Sequence, residues 1–404
     1  MRISTQSFYE QSQTAMGSLQ GNLLRTQQQL GAGTKMLAPS DDPLAATRAL
    51  AVEQSIAMNS QYAASRSHAT QTLTQEESVL QSVTTVLQNV KGLLIQAGGT
   101  LSDADRASIA TALQGNLDQL QGLANTDDGN GQFLFAGFKS GSAPFVRQAD
   151  GAITYAGDQG QRLTQVDASR QMTGADDGRS IFQSVQGGAG YVSEATAINA
   201  GSGVLGSASV LDAGNPNYGQ DFEISFPTAT TYQINTVPAS IAPADPAPTF
   251  MPGNPITFGG LQIKISGVPA AGDSFKIATA KNAGTDVFGA INDVIKALKT
   301  PMESGDPSAQ AKVLNALSTA NRKITNAHDN VLTVRTSVGS RLQELDALGV
   351  TGDSRMLNDK SELSGLKDLD YASAIAEFYQ RQTALQASQQ TFVKVQKISL
   401  FNYL

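Results

Sequence analysis

The sequence contains no cysteine and no tryptophan, and only two histidines in 404 residues. Without a thiol there is no disulfide, no zinc-thiolate centre and no cysteine nucleophile. His68 and His328 sit on different segments with no third ligand beside either, so a histidine-based metal site has no support. Charge is scarce as well: Asp, Glu, Lys and Arg make up 16% of the chain, where about a quarter is usual. The net charge of -7 offers no basic stripe for phosphates, which argues against nucleic acid and equally against an anionic membrane. Nowhere do eighteen apolar residues run together, so no membrane-spanning helix is expected. The opening Met1 to Gln11 lacks the apolar core of a signal peptide, and export, if it occurs, is expected to proceed without a cleaved leader.

What fills the place of charge is Gln, Ser, Thr, Asn and Ala, laid over long heptad patterns. From Asp370 to Leu404, Tyr371, Phe378, Leu385 and Phe392 recur every seven residues, and Ile375 opens an alternate row that continues as Gln382, Gln389 and Gln396. The spacing predicts a helix with a coiled-coil seam, but half of that seam is amide. Such a helix gains too little from its own turns to stand alone in water. At the other end Tyr9, Met16, Leu23, Leu30 and Leu37 keep the same spacing, with Leu19 between them. Two thin seams of similar length predict one discontinuous domain built from both termini, the rest of the chain being inserted into it. The alternative is that each terminus packs separately on the middle of the chain.

The first helix is expected to run from about Thr5 to Leu30 and to fail at Gly31 and Gly33. Pro39, Asp41, Asp42 and Pro43 then stop one helix and start another, with Asp41 or Asp42 as cap and Pro43 in the first turn. We read Gly33 to Pro43 as a hinge. The following helix carries Leu73, Leu80, Leu87 and Leu94, and Ser102 with Asp105 resembles a capping box ahead of a third. From Gln132, beginning with Phe133-Leu134-Phe135-Ala136-Gly137-Phe138, the period changes to that of strands broken by turns, as far as about Ala280. Helix returns at about Asp286, and after Asp306-Pro307 comes a long row of Leu317, Ile324, Val331, Val338 and Leu345 that suits the Leu73 to Leu94 seam. The fold class is therefore mainly α with a β insertion: coiled-coil domains from both chain ends around a central β-rich domain. The boundaries fall at residues 1–40, 41–139, 140–283, 284–367 and 368–404, with a terminal coiled-coil domain from the first and last segments.

Chemistry finds little foothold. Gly201-x-Gly203-x-x-Gly206 matches a dinucleotide fingerprint as a string, but no strand leads into it and no helix follows, and it reads as a flexible loop. The pairs Asp41-Asp42, Asp127-Asp128 and Asp176-Asp177 stand at turns or helix starts, where capping explains them. We expect no enzyme, no cofactor and no metal.

The segments Gln29-Leu30-x-x-Gly33-x-Lys35 and Ser40-Asp41-Asp42-Pro43-x-x-Ala46, then Leu87-Gln88-x-Val90-Lys91-x-Leu93, and finally Asp368-x-Asp370-Tyr371-Ala372 resemble, in that order, the shared terminal motifs of bacterial flagellins and their relatives. The start Met1-Arg2-Ile3-Ser4-Thr5, the string from Gln132 to Phe138 leading to Pro144-Phe145, the Tyr155-x-Gly157-Asp158-x-Gly160-x-Arg162 turn and the ending Ser399 to Leu404 are similar to the hook-associated protein 3 type. The resemblance covers residues 1–182 and 284–404. It implies a structural subunit exported through the flagellar type III channel, with a cytosolic chaperone on its C-terminal helix. It also implies a ring of copies joining hook-associated protein 1 to flagellin, with termini that order on assembly. Filament flagellin, and a secreted β-domain adhesin on a helical stalk, remain open as alternatives. On the first reading the assembly interface is Tyr9, Met16, Leu19, Leu23, Leu30, Tyr371, Ile375, Phe378, Leu385 and Phe392, and the hinge is Gly33, Pro39, Asp41, Asp42 and Pro43.

Overall fold

The computed structural model describes residues 5–185, 189–238, 247–301 and 306–401. Met1 to Ser4 and Asn402 to Leu404, which carry part of the resemblance, lie outside them. The chain divides into two compact units, residues 1–64 with 347–404, and residues 65–346.

The first unit contains α1 (Thr5–Ala32), the start of α2 (Pro43–Ala97), the end of α6 (Pro307–Lys367) and α7 (Tyr371–Phe401). α1 stops where Gly33 turns to φ +70, a conformation that side chains resist and glycine does not. Leu37, counted above with the α1 row, lies beyond the helix in the connector. The cap left open between two aspartates is Asp42, whose Oδ1 accepts the Ala45 N–H at 3.0 Å. Pro43 follows where its missing N–H costs nothing. α2 and α6 are joined in this unit by Asn59, which donates to the Gly352 carbonyl at 2.7 Å, and by Ser55, which donates to Asp359 at 2.7 Å.

The second unit holds the rest of α2, α3 (Asp103–Ala124), α5 (Val287–Lys299) and the start of α6. Leu73, Leu80, Leu87 and Leu94 on α2, and Leu317, Ile324, Val331, Val338 and Leu345 on α6, are all buried. Arg335 of α6 donates to Glu77 of α2 at 2.6 and 3.0 Å. α3, started by the Ser102–Asp105 capping box, lies against α5, a pairing that the heptads did not disclose.

Seven expected strands are present. The chain forms β1 (Phe145–Arg147), β2 (Ile153–Tyr155), β3 (Leu163–Asp167) and β4 (Arg170–Thr173), then the short α4 (Gly178–Phe182). There follow β5 (Val192–Ala195), β6 (Val204–Leu205), β7 (Ser209–Val210), β8 (Asp221–Thr228), β9 (Thr231–Val237), β10 (Pro255–Phe258), β11 (Leu261–Ser266) and β12 (Ser274–Ala278). One antiparallel sheet runs β5-β12-β8-β9 and a second β10-β11-β6, with β7 also on β11. Alternate residues of β8, β11 and β12, among them Phe222, Ile224, Ile263, Ile265, Phe275 and Ile277, meet in one core, as the two-residue period of strands requires.

The structure corrects two expectations. Phe133 to Phe138 is a series of turns, not a strand. Gly137 adopts φ +67, the Asp158 carboxylate accepts the Phe138 and Gly160 N–H groups at 2.8 and 2.9 Å, and Phe135 is buried edge-on to Phe182. Nor is the Gly201 to Gly206 string a flexible loop. Ala200 and Gly201 donate to the buried Asp273 carboxylate at 2.8 and 3.1 Å, and Val204-Leu205 is strand β6. A Cβ on Gly201 would meet the Ala270 nitrogen at 2.3 Å, so close backbone approach explains the glycine.

α6 holds the β region through neutral amides. Asn315 accepts from the Leu205 N–H at 2.8 Å and donates to the Gly203 carbonyl at 2.9 Å. Thr319 donates to Ser193 O at 2.8 Å, Asn326 to Gly190 O at 3.1 Å, and Asn330 to Ser180 O and Ile181 O at 2.8 and 2.9 Å. Replacing Asn315 by Ala leaves a strand N–H and a carbonyl buried without partners. The expected loss is about 2 kcal/mol, read as a lower thermal midpoint; an unchanged midpoint would show that these bonds are replaceable by water.

Candidate assembly interface at the paired termini

α1 and α7 lie side by side in opposite directions. The Tyr9 and Phe392 rings stand 5.1 Å apart at one end. At the other, Leu369 donates to Gly33 O at 3.0 Å, and Tyr371 lies so near Gly33 that a Cβ there would meet its hydroxyl at 2.9 Å. Of the ten interface residues picked from the sequence, Met16, Leu19, Leu23, Leu30, Phe378, Leu385 and Phe392 are half-buried. Tyr9, Ile375 and Tyr371 are exposed at 40, 45 and 52%. Among the described side chains of α1 only Thr26 is buried, and of α7 only Ala374.

The centre of the pairing is polar, and periodicity did not find it. The Arg381 guanidinium donates to Asn22 O and to Thr26 Oγ1, both at 2.8 Å, while Glu377 one turn earlier accepts from it at 2.5 Å. Bonds to a charged group are stronger than neutral ones, and this one ties residues 355 apart in sequence. The available signal was an isolated arginine beside Gln382, in the row where the seam turns to amide.

The connector after α1 is strapped to the junction of α6 and α7. Lys35 N–H donates to Lys367 O at 2.9 Å, Thr34 and Asp368 pair as an antiparallel bridge, and the Lys35 ammonium reaches Gly365 O. Of the hinge residues, Asp41 accepts from the Leu37 and Ala38 N–H groups at 2.9 and 3.1 Å and faces Arg25 at 2.8 Å. Those backbone donors, and secondarily Arg25, hold its carboxyl below the usual carboxylate range. Pro39 and Pro43, with Met36, Leu37, Ala46 and Leu50, line an open, mainly apolar groove of about 500 Å³. Elsewhere on this unit Leu24, Met58, Val350, Leu357 and Tyr379 are exposed. Among the described residues no cluster of three metal-ligating side chains occurs, and no helix is long and apolar enough to cross a membrane.

Comparison with known proteins gives concordant relatives. Residues 3–140 match the family described as the bacterial flagellin N-terminal helical region. The flagellar hook-associated protein 3 of Salmonella typhimurium is 35% identical over 402 residues, 99% of each chain. The crystal structure of Xanthomonas campestris FlgL covers 78% of this chain and 99% of its own at 29% identity, with a TM-score of 0.68. The flagellar junction protein FlgL of Legionella pneumophila covers 80% and 100% at 25% identity, with a TM-score of 0.66.

Two substitutions test the geometry of the pairing. Arg381→Ala is expected to weaken it by about 1.4 kcal/mol, read as roughly tenfold faster hydrogen exchange in α1 and α7 with the amides of residues 65–346 unchanged. Equal exchange rates would remove Arg381 from its assigned place. Gly33→Ala forces a side chain into the left-handed region at about 1 kcal/mol and is expected to speed proteolytic cutting of the connector; an unaltered cutting rate would show the strap to be independent of that turn.

Proposed function

The chain belongs to the flagellar hook-associated protein 3 family, and from that premise we propose that its paired termini are the surface on which copies assemble with one another and with the neighbouring flagellar proteins. It is a structural subunit of the flagellar junction, with its place in the flagellum outside the cell. One observation carries the reading: in the single chain no large apolar side chain described on α1 or α7 is buried. Burying a Leu or Phe fully is worth roughly 1.5–3 kcal/mol, so the half-covered rows hold back a large part of that gain until other helices lie against them.

In detail, the copies form a ring between hook-associated protein 1 on the hook side and flagellin on the other. Tyr9, Met16, Leu19, Leu23 and Leu30 of α1 and Tyr371, Ile375, Phe378, Leu385 and Phe392 of α7 supply the contact. The Gly33 to Pro43 connector sets the angle between the terminal helices and those that follow, and its apolar groove is covered in the ring. Before export, a cytosolic chaperone covers α7. The protein does no catalysis; its work is mechanical.

Phe378→Asp with Leu385→Asp places two charges on the row and is expected to abolish filament attachment, each buried charge costing several kcal/mol. Electron microscopy of cells carrying the variant should show bare hooks with flagellin lost to the medium. The thermal transition of the β region should not move. Filaments of normal length in that strain would refute the assignment.

A further inference from the structure

Glu76 has no exposed surface, although it stands in a Glu-Glu pair that a sequence reading would leave on the solvated face of α2. Its Oε1 accepts the Asp176 N–H at 3.2 Å, and its Oε2 meets no donor. The Asp176 carboxylate pairs with the Arg341 guanidinium of α6, which also donates to Thr173 O at 3.2 Å. The other charged groups around the site are largely committed elsewhere. On α2, Glu77 is bound by Arg335 of α6, and His68 lines the far side of the turn beside Gly174 and Ala175. On the turn, Asp177 caps α4 through the Ser180 N–H at 2.9 Å. On α6, Glu344 faces Arg170 of β4 at 2.8 Å. Two carboxyls therefore share one guanidinium in a space closed to water, where an uncompensated second anion costs several kcal/mol.

We propose that Glu76 and Asp176 hold one proton between them, carried on Glu76, and that this proton latches the turn of residues 173–177 between α2 and α6, so that the turn loosens in mildly alkaline medium. Burial first, then the negative charge of Asp176, pushes the Glu76 carboxyl up to about 8 against the opposing pull of Arg341. In the unfolded chain a glutamate gives up its proton near its ordinary value of 4.5. Between those two values the folded state binds the additional proton, so stability is greatest at the acid end and falls as pH rises.

The full-length protein, melted from about pH 6 to about pH 9, is expected to lose on the order of 5 °C. In Glu76→Gln, whose amide needs no proton, most of that slope should vanish and the variant should melt higher than the parent at the alkaline end. An undiminished slope in the variant, or none in the parent, overturns the proposal. A second measurement requires no variant. With carbon-13 in the glutamate side chains, the infrared C=O stretch of a neutral carboxyl should be present near neutrality and disappear by about pH 9, together with faster hydrogen exchange at the Asp176 amide. Absence of that labelled band near neutrality overturns the proposal even if the variant does not fold.

Discussion

The Arg381 guanidinium on Asn22 and Thr26 is the contact on which the terminal unit depends. Apolar rows at seven-residue spacing tolerate a slip by one heptad, because each row then meets an equivalent row. A charged fork on one carbonyl and one hydroxyl does not. The register of α1 against α7 is thus fixed by a polar pair while the apolar side chains beside it stay half covered. The helices of residues 65–346 are built the other way, with the Leu73 to Leu94 and Leu317 to Leu345 rows buried within the chain itself. One protein carries a body whose core is complete and ends whose core is not.

The strap between residues 33–35 and 365–369 belongs to the same arrangement. Its bonds run between main-chain atoms for the most part, so they constrain path more than composition. Gly33 is needed for its dihedral angle, and Asp41, below it in the connector, folds the chain back by accepting two consecutive N–H groups. Each terminal helix therefore leaves the unit by a defined route, and surface that neighbouring subunits must find is presented at a definite place.

Much of this was legible because it is periodic. The heptads located α1, α2 and α6, the capping box located α3, and alternation located seven strands. What escaped is non-periodic or polar. The side chains of Asn315, Asn326 and Asn330 look like a solvated helix face until the strands they satisfy are known, and Glu76 looks exposed until a turn a hundred residues later covers it. Phe133 to Phe138 has the composition of a strand, but Asp158 and the positive φ of Gly137 bend it so that Phe135 plugs an aromatic cluster. The glycines of 201–206 matched a cofactor string because close backbone approach demands glycine whether the approaching group is a phosphate or, as here, the protein's own chain.

The amide ladder along α6 has one more implication. An amide has no charge for dissolved ions to screen and none to gain or lose with acidity, so the grip of Asn315, Asn326 and Asn330 on the strands is nearly indifferent to the brine or fresh water around it. A part that works outside any cytoplasm, with no homeostasis to protect it, keeps its shape through changes of habitat that would slacken a joint made of ion pairs.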